Sequence, residues 1–218
     1  MDYLATVYSR LERPKTTYPK KLAYKLFKDH IKRKDCRFLE VGCGNCDLLN
    51  EFSKIGLDVV GTDLLQSAGR EYPHINVFQN NIEQEKLPFS DESIDFIFSK
   101  SVVEHIYNPQ KYFEEAYRVL KKGGVLITLT PDWEVQKNKF YDDWTHKTPF
   151  SIVTMNRLYS LAGFKLNEIK YFKQLPILWN NKILLFLSNI LAHFIMEREK
   201  SKLRWIRERQ ILGVGFKK

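Results

Sequence analysis

The chain has 218 residues, of which 44% are hydrophobic, and a formal net charge of +9. A chain of this length buries one substantial core, so we expect one domain with an embellishment rather than two domains. Residues 1–12 mix charged with apolar side chains and lack the apolar core of a secretory signal, and three cysteines are an odd number for a disulfide framework. We therefore expect a cytoplasmic protein.

The positive charge is concentrated at the two ends of the chain. Residues 1–37 carry eleven Lys or Arg against four Asp or Glu, and residues 197–218 carry eight against three. The ends thus hold +7 and +5, which leaves −3 for residues 38–196. Such ends suit an anionic partner, namely a membrane surface, a lipid-linked acceptor or nucleic acid, and they are equally compatible with a solvated lysine-rich face.

The N-terminal part predicts two helices, over residues 2–12 and 19–33, separated by Pro14 and Pro19. Apolar side chains recur at helical spacing in the second of them. These helices precede the first predicted strand, so we interpret residues 1–35 as an N-terminal helical cap.

A glycine turn follows the first strand. Residues 38–41 are apolar enough for a buried strand, Gly42 and Gly44 turn the chain, and residues 48–55 have helical periodicity. Asp63 ends the next predicted strand, where a carboxylate accepts hydrogen bonds from ribose hydroxyls. A dinucleotide-binding turn would have its third glycine at Asp47, where a carboxylate repels a pyrophosphate. The pattern therefore predicts a nucleoside ligand that is not a dinucleotide.

Four motifs then occur in order between residues 37 and 131. They are Glu40-x-Gly42-x-Gly44, Asp63, Asn81-Ile82-Glu83 before Leu87-Pro88-Phe89, and Asp95-Phe96-Ile97-Phe98-Ser99. Together they resemble the motifs of class I S-adenosylmethionine-dependent methyltransferases of the Methyltransferase-11-like, small-molecule and glycan type. The resemblance implies a Rossmann-like α/β fold with a doubly wound, mostly parallel sheet of seven strands whose last strand is antiparallel. It also implies S-adenosyl-L-methionine as cofactor and S-adenosyl-L-homocysteine as product.

The same resemblance assigns a set of cofactor-binding residues. Leu64 would pack on the adenine ring at the start of a helix over residues 64–68. Asn81 stands where the family usually has aspartate, and its amide oxygen can still accept a hydrogen bond from the adenine amino group. The complete set is Glu40, Gly42, Cys43, Gly44, Asp63, Leu64, Asn81, Ile82 and Ser99.

The remaining pattern completes the sheet and defines the domain organisation. Further strands are predicted at 75–78, 94–98, 125–130, 164–172 and 210–217, with helices at 109–121 and 151–161. We interpret residues 1–218 as one methyltransferase domain, with the cap at 1–35, the cofactor-binding core at 36–172, a helical insertion at 173–209 and the last strand at 210–218.

A long polar and aromatic loop follows the fifth strand, over residues 132–150. Loops of this length are usually functional, and this one lies where acceptors bind in the family. His146 is our candidate general base because an imidazole ordinarily titrates near the working pH of an enzyme, and Asp143 could orient the ring. The candidate acceptor-binding residues are His105, Trp133, Tyr141 and Trp144. No carboxylate and histidine cluster has metal-ligand spacing in the sequence, so we expect no metal.

The insertion contains an apolar segment at 183–196, which is too short for a membrane-spanning helix of about 20 residues. A helix so apolar must be covered by the protein's own core, by a dimer partner or by a membrane interface. The sequence leaves these three open.

The leading functional hypothesis is methyl transfer to a hydroxyl of a sugar, a glycan or another small molecule. The Asp-x-x-His…Pro-Phe segment of the loop resembles methyltransferases of bacterial surface-polysaccharide synthesis. A lipid or quinone acceptor at the membrane surface is the alternative. RNA methylation is disfavoured because residues 99–102 lack an Asn-Pro-Pro-Tyr-type motif, and the intact glycine turn disfavours a non-catalytic cofactor-binding scaffold.

Overall fold

The structure is a computed structural model, and it describes residues 17–195 and 203–218. The helix predicted at 2–12 lies outside the described residues. Strands occupy seven segments: β1 Arg37–Val41, β2 Asp58–Asp63, β3 Asn76–Gln79, β4 Ile94–Lys100, β5 Leu120–Pro131, β6 Lys165–Phe172 and β7 Gln210–Phe216.

All seven strands form one sheet in the order β3-β2-β1-β4-β5-β7-β6. β1 pairs parallel with β2 and β4, and the pairs β2–β3 and β4–β5 are parallel too. β7 is antiparallel to both of its neighbours. This confirms the predicted mostly parallel sheet with an antiparallel last strand. Because β1, β2, β4 and β5 run in one direction, their carboxyl ends share one edge of the sheet.

Helices cover both faces of this sheet. They are α1 Thr17–Leu26, α2 Asp47–Ile55, α3 Pro109–Val119, α4 Trp133–Gln136, α5 Ile152–Leu161, α6 Lys182–Ala192 and α7 Arg204–Arg207. On one face Phe38, Phe52 and Phe98 are fully buried, and on the other Phe113 and Tyr159 are. Apolar side chains that alternate along the strands therefore fill two separate cores, as expected for a doubly wound sheet.

The boundary between α3 and β5 differs from the prediction. The helix predicted to run to residue 121 ends at Val119, and β5 begins at Leu120 rather than at Val125. Leu120 pairs with Ile94 across a bulge, and the ladder then resumes at Val125. The two lysines and two glycines of residues 121–124 therefore extend an irregular strand instead of ending a helix.

The cap helix also ends earlier than predicted. α1 stops at Leu26, and residues 27–31 form a single wide helical turn. Lys32 then has a left-handed conformation, with φ of 60°, and its N–H donates to the Phe27 carbonyl at 2.9 Å. A left-handed residue that closes the last turn is a common helix terminator.

The insertion leaves the sheet after Phe172 and returns at Gln210, and these two residues are paired with each other. Gln210 is also paired with Pro131, the last residue of β5. The insertion therefore stands at the same edge of the sheet as the turn after β1. In the described part of the chain, no helix combines the length and the apolar content needed to cross a membrane.

Candidate active site

The turn after β1 lies at the carboxyl edge of the sheet, and it leaves little space around Gly42. Gly42 and Gly44 have φ of +71° and +50°, a region that glycine enters without strain. The Gly42 N–H donates to the Thr62 carbonyl at 2.8 Å. A Cβ at Gly42 would collide with Cγ2 of Val102. The chain therefore keeps glycine here because both the torsion angle and the available space require it.

Asp63, the last residue of β2, binds this turn. Its Oδ2 accepts the Gly44 N–H at 2.8 Å, and its Oδ1 accepts the Leu65 N–H at 2.9 Å. The carboxylate therefore lies directly beside the glycine turn, as the sequence predicts. Each of its oxygens keeps a further lone pair with which to accept a hydrogen bond from a ligand hydroxyl.

The helix predicted at 64–68 is wrong. Ala68 donates to the Leu65 carbonyl at 3.1 Å, which closes a single turn, and the Gly69 N–H donates at 3.0 Å to the Gly44 carbonyl instead of to a helical carbonyl. Gly69 also has a left-handed φ of +72°, so the helix does not continue through it. The segment is a series of turns in which the Leu64 side chain is 58% exposed.

Glu40 lies on β1, two residues before the glycine turn, and is buried. Its Oε2 has no hydrogen-bond partner within the described ranges 17–195 and 203–218. Burial raises the pKa of Glu40 well above its usual range, and the neighbouring Cys46 adds to this effect. An unpaired buried carboxyl oxygen is costly, and a ligand donor above the turn would satisfy it. This is the feature that best fits a bound cofactor.

The other predicted cofactor residues have local partners. The Oδ1 of Asn81 accepts the Glu83 N–H at 3.1 Å, and Ser99 Oγ accepts from the Tyr112 hydroxyl at 2.8 Å. Ile82 and Cys43 are buried in the two cores. The Ser99 side chain thus faces α3, which leaves its backbone as the group nearest to the carboxyl edge.

A pair of histidines lies at the same edge. His105 follows β4, His146 belongs to the loop after β5, and their ring centroids are 4.7 Å apart. His146 Nδ1 lies 2.5 Å from the Phe140 carbonyl oxygen, so it is the protonated nitrogen and donates. His146 Nε2 is 3.9 Å from Oδ2 of Asp143. The fold therefore brings together the predicted base, its predicted orienting carboxylate and a predicted acceptor-binding residue.

Thr145 connects Asp143 to His105. Its hydroxyl donates to Oδ1 of Asp143 at 2.6 Å, and its Oγ1 lies 2.9 Å from Nδ1 of His105. Burial by itself would raise the pKa of Asp143, but two hydrogen bonds from Thr145 and the charge of His146 hold it below the usual value. Burial and the neighbouring His146 lower the pKa of His105. Asp143 is thus ionised beside two imidazoles.

Glu104 is a site residue that the sequence reasoning missed. It is fully buried, its Oε2 accepts from the Thr130 hydroxyl at 3.0 Å, and its Oε1 has no partner among the residues described. Burial raises the pKa of Glu104 to about 7. Lys100, whose pKa is lowered by burial, interacts electrostatically with both Glu104 and Glu40. The signal available in the sequence was an acid four residues beyond the end of a buried strand.

The structure also contains a cluster of potential metal ligands that the sequence did not predict, formed by Glu104, His105 and His146. One potential ligand atom of each residue lies within 4.8 Å of the others. The sequence showed no such cluster because His146 is about 40 residues from Glu104 and His105 along the chain, and the fold brings them together. The positive charge of Lys100 beside Glu104 repels a cation at this position.

The aromatic residues of the loop occupy two different environments. Trp133 packs edge-to-face on Phe140 at 5.4 Å and on Tyr141 at 6.2 Å, so it supports the loop. Trp144 is 86% exposed, and Tyr141 is also exposed. The fold thus gives Trp133 a packing contact and leaves the other two rings accessible.

The first residue of the loop over 132–150 is attached to the insertion. Asp132 is fully buried and forms an ion pair with Arg209, which precedes β7. Arg209 also pairs with Glu134 at 3.0 Å, and its guanidinium lies 3.6 Å from the ring centroid of Tyr171. A buried charge pair of this kind fixes the relative position of the two segments.

Comparison with known proteins finds methyltransferases that resemble this chain. Residues 39–128 match the family model described as a methyltransferase domain. A methyltransferase of Mycolicibacterium smegmatis, named as S-adenosylmethionine-dependent, is 28% identical over 142 residues, which are 60% of this chain and 52% of that protein. The ubiquinone biosynthesis O-methyltransferase of Cereibacter sphaeroides is 30% identical over 103 residues, covering 43% and 40% of the two chains.

Solved structures share the fold. The phosphoethanolamine N-methyltransferase 2 of Haemonchus contortus, in complex with phosphomonomethylethanolamine and S-adenosylhomocysteine, superposes with a TM-score of 0.67. It is 18% identical and is matched over 91% of this chain and 52% of its own. The sheet order, the glycine turn with Asp63 and these matches make the chain similar to class I S-adenosylmethionine-dependent methyltransferases. The similarity to the methyltransferase domain covers residues 39–128 of the chain. The chain spans about half the length, or less, of these two curated relatives.

Proposed function

We propose that this protein transfers a methyl group from S-adenosyl-L-methionine to a hydroxyl of a sugar, a glycan or another small molecule. The observation that carries the proposal is the position of the His105–His146 pair at the sheet edge that also holds the glycine turn. A cofactor site alone would suit any methyltransferase of the class. A half-buried imidazole with an ionised carboxylate beside it adds what an alcohol acceptor requires, which is removal of its proton.

The cofactor would be held by the groups around the turn. The backbone at Gly42 and Gly44 lets the nucleoside approach closely, Asp63 accepts hydrogen bonds from the ribose hydroxyls, and Glu40 accepts from a donor of the methionine part. When bound, S-adenosyl-L-methionine supplies an electrophilic methyl group on a sulfonium. The protein then has to hold the acceptor in line and exclude water.

His146 is proposed as the general base. Its Nδ1–H donates to the Phe140 carbonyl, which leaves the lone pair on Nε2 to take the acceptor's hydroxyl proton. Oδ2 of Asp143, 3.9 Å from Nε2, stabilises the imidazolium that forms. Among the proposed acceptor-binding residues, the exposed rings of Tyr141 and Trp144 offer faces on which a sugar or quinone ring stacks.

The second candidate acceptor is a membrane lipid or a quinone. The observation that favours it is α6, an apolar helix with exposed side chains at the same edge of the sheet. The similarity to a ubiquinone biosynthesis O-methyltransferase also supports a quinone acceptor. A homodimer through residues 173–209 would cover the same surface.

A methyl-labelling screen tests the proposed function. Purified protein is incubated with methyl-tritiated S-adenosylmethionine and with extracted glycans, glycolipids, quinones or RNA. We expect base-stable label in a glycan or small-molecule fraction, and the lipid candidate predicts it in glycolipids or quinones instead. Label in RNA alone, or cofactor binding without transfer to any fraction, would contradict the proposal in favour of an RNA enzyme or a scaffold.

A further inference from the structure

We propose that α6 is a membrane-docking helix and that it seats the carboxyl edge of the sheet on an anionic bilayer. The inference concerns a surface and not the chemistry, so it holds or fails independently of the proposed methyl transfer. Its starting point is exposure. Of the eleven residues of α6, Ser188 is buried, while Ile183 is 72% and Phe186 64% exposed.

The exposed apolar surface extends along and beyond the helix. It includes residues of the turn before α6 and of the chain just after it, and its members are Ile177, Ile183, Leu184, Leu185, Phe186, Leu187, Ile190, Leu191 and Phe194. A contiguous patch of this kind marks an interaction site rather than an ordinary protein surface. We call these residues the α6 patch.

The α6 patch belongs to a fixed element. Asn181 caps the helix by accepting the Leu184 N–H at 3.0 Å. Lys173, which is buried, donates to the carbonyls of Ser188 and of Ile206 in α7, and the Trp179 indole donates to the Lys173 carbonyl at 2.7 Å. Ser188 of α6 is thus held against the fold, while the apolar side chains of the patch are exposed together with Lys182 and Asn189.

Basic residues lie on α6 itself and on the helices next to it. Lys182 is the exposed first residue of α6, Arg204 begins the contacting helix α7, and the Lys25 ammonium of α1 lies 5.7 Å from the centre of the Trp179 ring. The Tyr18 hydroxyl also donates to Gln174 at 3.2 Å. An apolar helix beside a basic one is the arrangement of interfacial membrane-binding surfaces.

Charge selects the occupant of the α6 patch. The two contacting helices α6 and α7 carry Lys182, Arg204 and Arg207 and contain no acidic residue, so the charge beside the patch is positive. Two copies meeting through this surface would bring like charges together, whereas anionic lipid headgroups supply the opposite charge. A bilayer also covers the apolar face without requiring shape complementarity.

The placement has a functional consequence. β6 ends and β7 begins at the carboxyl edge, and the Asp132–Arg209 ion pair joins the insertion to the loop that contains His146. Docking through α6 therefore positions the acceptor side of the site beside the lipid headgroups. A lipid-linked or membrane-dissolved acceptor would reach it without leaving the bilayer.

Vesicle co-sedimentation of the full chain tests this inference. At low salt we expect the protein to sediment with vesicles containing phosphatidylglycerol, to bind at least about 10-fold more weakly to pure phosphatidylcholine, and to be released by high salt. The double variant Ile183→Ser/Phe186→Ser should lose about 10-fold or more in binding. Leu161→Ser on α5 is the matched control, because Leu161 is equally exposed, at 66%, but lies outside the patch.

Three outcomes would overturn the inference. The protein could stay in the supernatant with anionic vesicles, or Leu161→Ser could weaken binding as much as the double variant. Light scattering could instead show a dimer that the double variant abolishes, without lipid binding, and the patch would then be an interface between two copies. The unfolding temperature of each variant is measured alongside. Equal unfolding temperatures of the double variant and the wild type show that a loss of binding is not a loss of folding.

Discussion

The two halves of the carboxyl edge are built in different ways. On the cofactor side, two glycines and one carboxylate, Asp63, hold a backbone turn within a stretch of about 20 residues. On the acceptor side, His105 and His146 come from separate loops, and Asp143, Thr145 and Phe140 orient them. The first half is formed mainly by backbone groups that are close in sequence, and the second by side chains that are far apart in sequence.

This difference separates what the two halves control. The cofactor half depends on torsion angles and space, so a small change in backbone there should abolish binding outright. The acceptor half depends on hydrogen bonds between side chains, so a change there should reduce turnover while cofactor binding persists. The following predictions test that separation, from the largest expected effect to the smallest.

Replacing Gly42 by alanine should have the largest effect. The new Cβ would collide with Val102 at a φ of +71°, so the turn has to move. We expect the affinity for S-adenosylhomocysteine to fall by about 100-fold or more, which corresponds to roughly 3 kcal/mol. Gly123→Ala is the matched control, because Gly123 has a φ of +74° with open space around its Cβ. It should lower the unfolding temperature and leave the affinity unchanged in calorimetry; equal losses of affinity in both variants would contradict the account.

Replacing His146 by glutamine should act on turnover. Loss of a general base typically lowers kcat by about 100- to 10,000-fold. We expect this loss with the affinity for S-adenosylhomocysteine unchanged, since His146 contacts Phe140 and Asp143 rather than the glycine turn. His193→Gln, at the exposed end of α6, is the control and should keep its turnover. A His146→Gln enzyme with wild-type turnover and pH profile would remove the base assignment.

The pH dependence of stability should identify Glu104. Its pKa in the native protein is about 7, compared with 4.5 for an ordinary glutamate. Between these values the unfolded chain releases the proton and the native protein keeps it, so this group makes stability fall as the pH rises. The loss is roughly 3 kcal/mol, from about 1.4 kcal/mol per pKa unit. Denaturant unfolding at pH 4 to 8 should show a decline that is steeper in the wild type than in Glu104→Gln, because the variant keeps only the contributions of other groups such as Glu40.

Glu114→Gln is the control for this series, because Glu114 is exposed on α3. It should follow the wild-type pH dependence. If Glu104→Gln and the wild type change in parallel with pH, the buried carboxyl is ionised in the native protein throughout this range.

Removal of metal should have the smallest effect. If His146 is the base, dialysis against EDTA leaves turnover unchanged, and added Mg²⁺, Mn²⁺ or Zn²⁺ does not raise it. A loss that one of these ions restores would show instead that Glu104, His105 and His146 bind a metal, since one ligand atom of each lies within 4.8 Å of the others. The EDTA result therefore distinguishes a general-base role of His146 from metal binding by Glu104, His105 and His146.

The sequence predicted the cofactor half because that half is local. A buried strand, two glycines and a terminal aspartate are close in the chain, and their periodicity and spacing are visible. The sheet, with its antiparallel last strand, followed from the same motifs. The helix predicted at 64–68 was wrong because the Gly69 N–H bonds to the Gly44 carbonyl, a contact between distant segments that a periodicity argument does not include.

The acceptor half was predicted only in part. His146, Asp143 and His105 were named as separate candidates, but their mutual contacts depend on how the loop after β5 folds onto the turn after β4. That contact rests on the Lys147 and Thr148 N–H groups, which donate to the Glu104 carbonyl at 2.8 and 3.0 Å. Glu104 was missed for the same reason, since the burial that raises its pKa is a tertiary property.

The central claim is that S-adenosylmethionine binds over the glycine turn with its ribose held by Asp63. Isothermal titration of S-adenosylhomocysteine into the wild type and into Asp63→Asn tests it most directly. The account predicts one site per chain in the wild type and an affinity about 10- to 100-fold weaker in Asp63→Asn, because a charge-assisted hydrogen bond is worth roughly 1.5 to 3 kcal/mol. No binding to the wild type, or equal binding to both proteins, would contradict it.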